Sequence, residues 1–145
     1  MKQKSLFQKP KPKTVPQPLK KNPQENTYST DKNNRFTQPF LEKRKLTNPD
    51  DIKAYEEIQR CRLNLLVWSR MYYELDITVV DDSKFDEVGK RLIQLQKDFP
   101  NISKIVAFYE AFKDWDGSTG FYLPINDEWV VKKTEQIISI KFGGK

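Results

Sequence analysis

Tyr72-Tyr73-Glu74-Leu75-Asp76-Ile77-Thr78-Val79-Val80-Asp81-Asp82-Ser83-Lys84-Phe85-Asp86 is the stretch on which the fold turns, because it joins two segments of helical periodicity through one short irregular connection. Upstream, Ile52, Tyr55, Ile58, Cys61 or Arg62, Leu65, Trp68 and Tyr72 recur at three- and four-residue steps, with Leu66 and Met71 widening the stripe. Asn48-Pro49-Asp50-Asp51 supplies the start of that helix: an N-cap, a proline at the first helical position and two carboxylates over the positive end of the dipole. The spacing predicts a helix over about 49–74. Downstream, Val88, Leu92, Leu95 and Phe99 form a second stripe, capped by Asp81 or Asp82 and closed by Pro100 and Asn101. Between the two, the β-branched Ile77-Thr78-Val79-Val80 breaks the period, so the pair reads as a helical hairpin.

Beyond the hairpin, a third helix is expected from Ser103 to about Lys113, with Ile105, Phe108, Tyr109 and Phe112 on one face. Trp115-Asp116-Gly117-Ser118-Thr119-Gly120 then reads as a loop. Asn126 or Asp127 is placed to cap a last helix through Ile140, with Trp129, Lys133, Ile137 and Ile140 along one side; the β-prone Ile137-Ile138-Ser139-Ile140 leaves a terminal strand at 136–142 as the alternative. The fold class is therefore all-α: a small helical domain over 48–145, built from the hairpin plus one or two further helices. Trp68, Phe99, Phe108, Phe112 and Trp129 are the aromatic candidates for a core that must compensate for small size.

Residues 1–47 differ in kind. They carry 12 Lys or Arg against 3 Asp or Glu, and six of the nine prolines, whereas residues 48–145 carry 14 against 17. Proline at the density of Lys9 to Pro23 fixes φ and removes backbone donors, so this part reads as a disordered basic arm. Its Lys9, Lys11, Lys13, Lys20 and Lys21, with Lys43, Arg44 and Lys45, are placed to meet phosphates without reading bases; the alternatives are a solvated tail or a tether to a protein partner.

The rest of the composition removes function classes. With no histidine and a single cysteine, Cys61, the usual zinc sites and Ser-His or Cys-His nucleophiles have no ligands or base. No apolar run of spanning length or signal-type segment is present, so a soluble, cytoplasmic protein with no membrane partner is expected.

The hairpin connection gathers chemistry. Tyr72 and Tyr73 end one helix, Asp76 lies in the connection, and Asp82, Phe85 and Asp86 follow at i, i+3 and i+4 in the next. An aromatic face stacks on a flat heterocycle, and neighbouring carboxylates accept from an amide NH₂ or ribose hydroxyls. The same groups admit blander readings: a tyrosine pair at a helix end as the edge of a core, Asp82 as an N-cap, Asp76 as a solvated loop residue.

Taken together, Tyr-Tyr-x-x-Asp, five intervening residues and Asp-x-x-Phe-Asp, continued by Val88 to Phe99 and Pro100, resemble over residues 52–101 the N-terminal adenylation-accessory domain of NAD-dependent DNA ligases. That domain grips the nicotinamide mononucleotide (NMN) half of NAD. The resemblance implies that Tyr72 packs on the nicotinamide ring, that Asp82 and Asp86 bond the carboxamide and ribose region, and that Asp76 is the family's loop aspartate. Two positions depart from the pattern: Tyr73 stands where many members have a phosphate-facing histidine, and Phe85 where they have tyrosine.

The ligase chemistry itself is not expected. Lys113-Asp114-Trp115-Asp116-Gly117 is one residue longer than the Lys-x-Asp-Gly motif that carries AMP in ligases, and the remaining nucleotidyltransferase motifs are absent. The resemblance therefore implies a non-catalytic, phage-type ligase-related protein that binds NAD or NMN and modulates DNA-processing or NAD-linked machinery, through a host or phage partner protein. The alternatives are a protein or nucleic-acid interaction module that keeps the fold without the ligand, and an enzyme that uses Asp82 and Asp86 as acid and base or as metal ligands.

Overall fold

The computed structural model describes residues 32–143, with side chains from 35 to 141. Every regular element among the described residues is helical: α1 Lys32–Arg44, α2 Pro49–Leu75, α3 Asp82–Asp98, α4 Pro100–Ile105, α5 Tyr109–Phe112 and α6 Glu128–Ile138, followed by a π-helical turn Ser139–Gly143.

The two hairpin helices start and stop where local chemistry dictates. At the head of α2, the Asn48 side chain accepts from the Asp50 N–H at 2.7 Å, and Pro49 sits where a missing N–H costs nothing. The helix ends at Asp76, which takes left-handed backbone (φ 59°) and sends its N–H to the Met71 carbonyl, to which Ile77 also donates at 2.8 Å. Asp81 caps α3 by accepting from the Lys84 N–H at 2.9 Å, and that bond, with a second from the Ser83 hydroxyl, holds its carboxyl below the usual range. Pro100 does more than close α3: it opens α4 one residue after the Phe99 cap.

α2 is the spine, packed against α3, α4 and α6. Its Ile58, Leu65 and Leu66 lose all exposure, together with Phe85 and Leu92 of α3, Phe112 of α5 and Val130 of α6. In the middle of this apolar body lies Arg62, also without exposed surface. Its guanidinium donates to the carbonyls of Ser103, Val106 and Ala107, to the Ser103 hydroxyl and twice to the Gln96 side-chain oxygen, at 2.7 to 3.2 Å. The Val106 and Ala107 carbonyls lie just past the end of α4, where helical partners run out, and Ser103 adds its carbonyl although it also accepts from the Val106 N–H, so a cation here completes a C-terminus from the side. Gln96 passes the connection on through its NH₂ to the Phe112 carbonyl at 3.1 Å. Burial pulls the Arg62 pKa down to about 9, and the group stays charged at neutral pH.

The structure departs from the sequence reading in three places. Residues 32–44, expected within the arm, form α1 and pack on the domain: Arg35 pairs with Asp127 at 2.7 Å, with both side chains nearly enclosed, and Phe36 meets Phe108 and Trp129 with ring centroids 6.1 and 5.4 Å apart. The folded region therefore extends past the expected boundary at 47/48, while the arm residues 1–31 lie outside the described part. The single helix expected from Ser103 to Lys113 is two short ones, broken at Phe108 by left-handed backbone (φ 69°). The C-terminal alternative of a strand at 136–142 gives way to helix through Ile138 and the π-helical turn.

Candidate functional site

The corner between α2 and α3 places the six expected residues on two sides of one wall. Tyr72 is half-buried at the end of α2, and its hydroxyl pKa is raised, first by burial and then by the negative charges of Asp82 and Asp76. The two carboxylates come from the elements that meet at this corner, Asp76 from the left-handed turn and Asp82 from the first turn of α3, and their charge acts on the Tyr72 phenol. Asp86, one turn further on, pairs with Lys90 at 3.1 Å on the solvent side. Tyr72, Asp76 and Asp82 thus form an acidic aromatic rim.

Tyr73 and Phe85 face the other way. Tyr73 is only 7% exposed and Phe85 is fully enclosed, so neither presents a ring to solvent in this conformation. In this conformation both are core residues, turned inward into the packed interface of α2 and α3. The Tyr73 hydroxyl is shared with the Thr119 hydroxyl at 2.7 Å, and burial pushes its pKa up to about 12. Tyr72 meets the Tyr73 ring edge-on at 4.9 Å, Tyr73 meets Phe121 at 5.2 Å, and Phe121 meets Tyr122 at 5.0 Å. This ladder of rings holds Tyr72 from behind.

The segment 115–121 supplies most of that backing and was read in the sequence only as a loop. Trp115 packs edge-on against Phe85 at 6.3 Å and donates its indole N–H to the Thr119 carbonyl at 2.8 Å. Gly120 lies so close to α2 that a Cβ there would fall 1.8 Å from the Ser69 Oγ. Glycine alone fits this contact, and Gly120 was the one available signal that the loop packs inward.

DNA ligases of Limosilactobacillus reuteri (strain DSM 20016), Levilactobacillus brevis (strain ATCC 367) and Lactobacillus delbrueckii subsp. bulgaricus are 38%, 42% and 36% identical to the chain over 50 residues. A segment of this chain is DNA-ligase-related. The matched segment is 34% of the chain and spans only 7–8% of the length of those ligases. No protein-family model matches the chain, and no solved structure matches it.

Other expected groups fall elsewhere. Lys43 and Arg44 lie in the last turn of α1, with Lys45 directly after it; Lys43 pairs with Glu56 at 2.9 Å, Lys45 with Glu42 at 3.4 Å, and Arg44 lies over the exposed Phe40 ring at 5.9 Å. Lys9, Lys11, Lys13, Lys20 and Lys21 lie outside the described residues. Cys61 is buried, and burial raises its thiol pKa, which makes it a poor nucleophile. Among the described residues no group of three or more His, Cys, Asp or Glu side chains is arranged to hold a metal, and no helix is long and apolar enough to cross a membrane.

Proposed function

We propose that this chain is a non-catalytic, ligase-related accessory protein that binds a nicotinamide nucleotide, NAD or NMN, on the rim formed by Tyr72, Asp76 and Asp82. The observation that carries the reading is the half-buried Tyr72 ring flanked by two carboxylates whose charge reaches its hydroxyl, in a chain that carries a ligase-related segment. In this reading the nicotinamide ring packs on Tyr72, Asp82 accepts from the carboxamide, Asp76 closes the rim, and Asp86 accepts from the ribose after exchanging its exposed Lys90 partner. The cationic ring of the oxidised nucleotide favours a phenol face between two acids.

One stacked ring contributes about 1–3 kcal/mol and each charged hydrogen bond about 1.5–3 kcal/mol. Two such bonds and the stack, set against an association cost of at least about 4 kcal/mol, leave at most about 5 kcal/mol, so a Kd in the millimolar range is expected. Tyr73 and Phe85 act from behind: they fix the Tyr72 ring and leave the phosphate end of the ligand without the histidine and tyrosine of the family pattern. The basic residues Lys43, Arg44 and Lys45 and the arm would add sequence-independent contact with DNA phosphates.

The test is a thermal-shift titration with NMN and with NAD. Stabilisation at millimolar ligand in the parent protein, lost in Tyr72→Ala and Asp82→Asn, is the expected result. No shift in the parent, with both variants indistinguishable from it, overturns the reading.

A second reading, an interaction module that keeps the fold without the ligand, is favoured by the burial of Tyr73 and Phe85. Gel shifts with and without residues 1–31, at low and high salt, distinguish it. Binding to DNA that vanishes with the arm, in a protein that shows no NMN-induced stabilisation, supports the module; NMN stabilisation, or DNA binding unchanged on deleting the arm, removes it.

A further inference from the structure

We infer that the open groove beside Trp115 and Tyr122 is the docking site for this chain's own arm, and that residues 9–21 are the segment that lies in it. The groove has a volume of about 430 Å³ and includes Glu110, Asp114, Trp115, Asp116 and Tyr122. Tyr122 is 69% exposed, so its ring is an uncovered wall rather than part of the core. Aromatic-lined grooves accept proline-rich segments, because proline packs on an aromatic face and is restricted before it binds.

The charges of the two parts are opposite. Residues 110–128 carry Glu110, Asp114, Asp116, Asp127 and Glu128 against the single Lys113, whereas residues 1–31 carry seven lysines against Glu25 and Asp31. Lys9, Lys11, Lys13, Lys20 and Lys21 fall in the docking segment, together with Pro10, Pro12, Pro16 and Pro18. On the groove, Asp114 is exposed and has no ion-pair partner among the described residues, and Glu110 holds Lys113 in an exposed pair at 2.9 Å, a contact weak enough to exchange. The groove of similar volume between α1 and α2 is a poorer seat, since its charged wall residue is Lys43, of the same sign as the arm.

The arm also enters the fold at the right place. It joins α1 at Lys32, and in the first turn of α1 Arg35 bonds Asp127 at 2.7 Å and lies 5.0 Å over the Phe108 ring. Phe108 precedes Glu110 by two residues and Asp127 follows Tyr122 by five, so the arm is rooted beside the segments that form both walls of the groove. The stretch from residue 21 to residue 32 extends to about 36 Å, enough to carry residues 9–21 onto those walls. A short tether presents its segment at an effective concentration in the millimolar range, so an intrinsic Kd of about 1 mM leaves about half of the molecules docked. The same lysines are those placed to meet phosphates, and the groove therefore competes with nucleic acid for the arm.

The experiment is paramagnetic relaxation measured by NMR on the full, isotope-labelled chain, with a nitroxide placed at residue 14 through Thr14→Cys; the native Cys61 is buried and stays unlabelled. Broadening of the Glu110, Asp114 and Tyr122 amides at low salt is the expected result, with its loss at high salt and in the double variant Glu110→Lys with Asp114→Lys. Nitroxide-bearing chains mixed with isotope-labelled chains that lack the nitroxide show no broadening when each arm docks on its own groove. No broadening in the single-chain sample, broadening spread evenly over the surface, or broadening that survives salt or charge reversal overturns the inference. Broadening of equal size in the mixed sample also overturns it, by assigning the arm to a second copy. Both reversed residues are exposed, so the variant keeps the fold, and the salt comparison needs no variant at all. None of these outcomes depends on whether NMN binds at Tyr72.

Discussion

Replacing Arg62 by methionine tests the packing that everything else rests on. The substitution keeps the length and apolar stem of the side chain and deletes the guanidinium, which makes six hydrogen bonds in a position with no exposed surface. The Val106 and Ala107 carbonyls just past α4 then lose their donor inside the protein, and the Ser103 carbonyl keeps only the Val106 N–H. Each orphaned acceptor costs about 1–3 kcal/mol. Part of this returns, because the interior no longer holds a bare cation, whose penalty is visible in the fall of the Arg62 pKa to about 9. Removing one partner from a buried ionic network nets about 3–5 kcal/mol of destabilisation, a large share of the ~5–15 kcal/mol typical of a domain. With a urea slope of about 1.5 kcal/mol/M, the unfolding midpoint followed by circular dichroism drops by roughly 2–3 M. Arg62→Lys keeps the charge but cannot span the acceptors and falls between parent and Arg62→Met. A midpoint within ~0.3 M of the parent for Arg62→Met would refute the claim that this residue joins α2 to α3 and the break between α4 and α5.

Further outcomes follow from the same contacts. Gly120→Ala drives a Cβ into Ser69 and costs about 1–3 kcal/mol, and a second change, Ser69→Gly, restores part of it; the double-mutant cycle in urea reads the coupling. Arg35→Met leaves the enclosed Asp127 carboxylate without that partner, so α1 detaches first and limited proteolysis cuts within 32–48 while the rest stays intact. Burial raises the phenols of Tyr55 and Tyr73 from 10.0 to about 12, so the folded state holds their protons longer than the unfolded chain does. The associated stability is complete below pH 10 and is lost as pH rises toward 12; Tyr73→Phe flattens the fall of urea stability with pH in that window.

The hairpin was legible because its signals are local. Asn48 starts α2 through a bond two residues on, with Pro49 at the first helical position, Asp81 starts α3 through a bond three residues on, and the apolar stripes repeat at helical steps. α1 was hidden by Pro39 in its interior and by its basic composition; what holds it is a pair 92 residues apart, Arg35 with Asp127, which no local window contains. The break at Phe108 was equally silent, since a phenylalanine in left-handed backbone has no compositional signature, and the carbonyls it frees are met by Arg62 from another helix.

The candidate site divides along the same line. Tyr72, Asp76 and Asp82 gather because a short turn joins two helix ends, which spacing shows. Periodicity placed Tyr72 on the apolar face of α2 and left Phe85 with the site residues, but it could not say which ring a distant loop would cover. That was decided by Thr119, Gly120 and Phe121, more than 30 residues downstream of Phe85.

The central claim is that a nicotinamide ring lies on Tyr72 between Asp76 and Asp82, and an NMR titration of the isotope-labelled chain with NMN tests it most directly. Nuclear Overhauser contacts from the nicotinamide protons to the Tyr72 ring, with amide shifts centred on Asp76 and Asp82, are the predicted result. Nuclear Overhauser contacts confined to residues other than Tyr72, or a saturating ligand that leaves Tyr72, Asp76 and Asp82 unshifted, would contradict it.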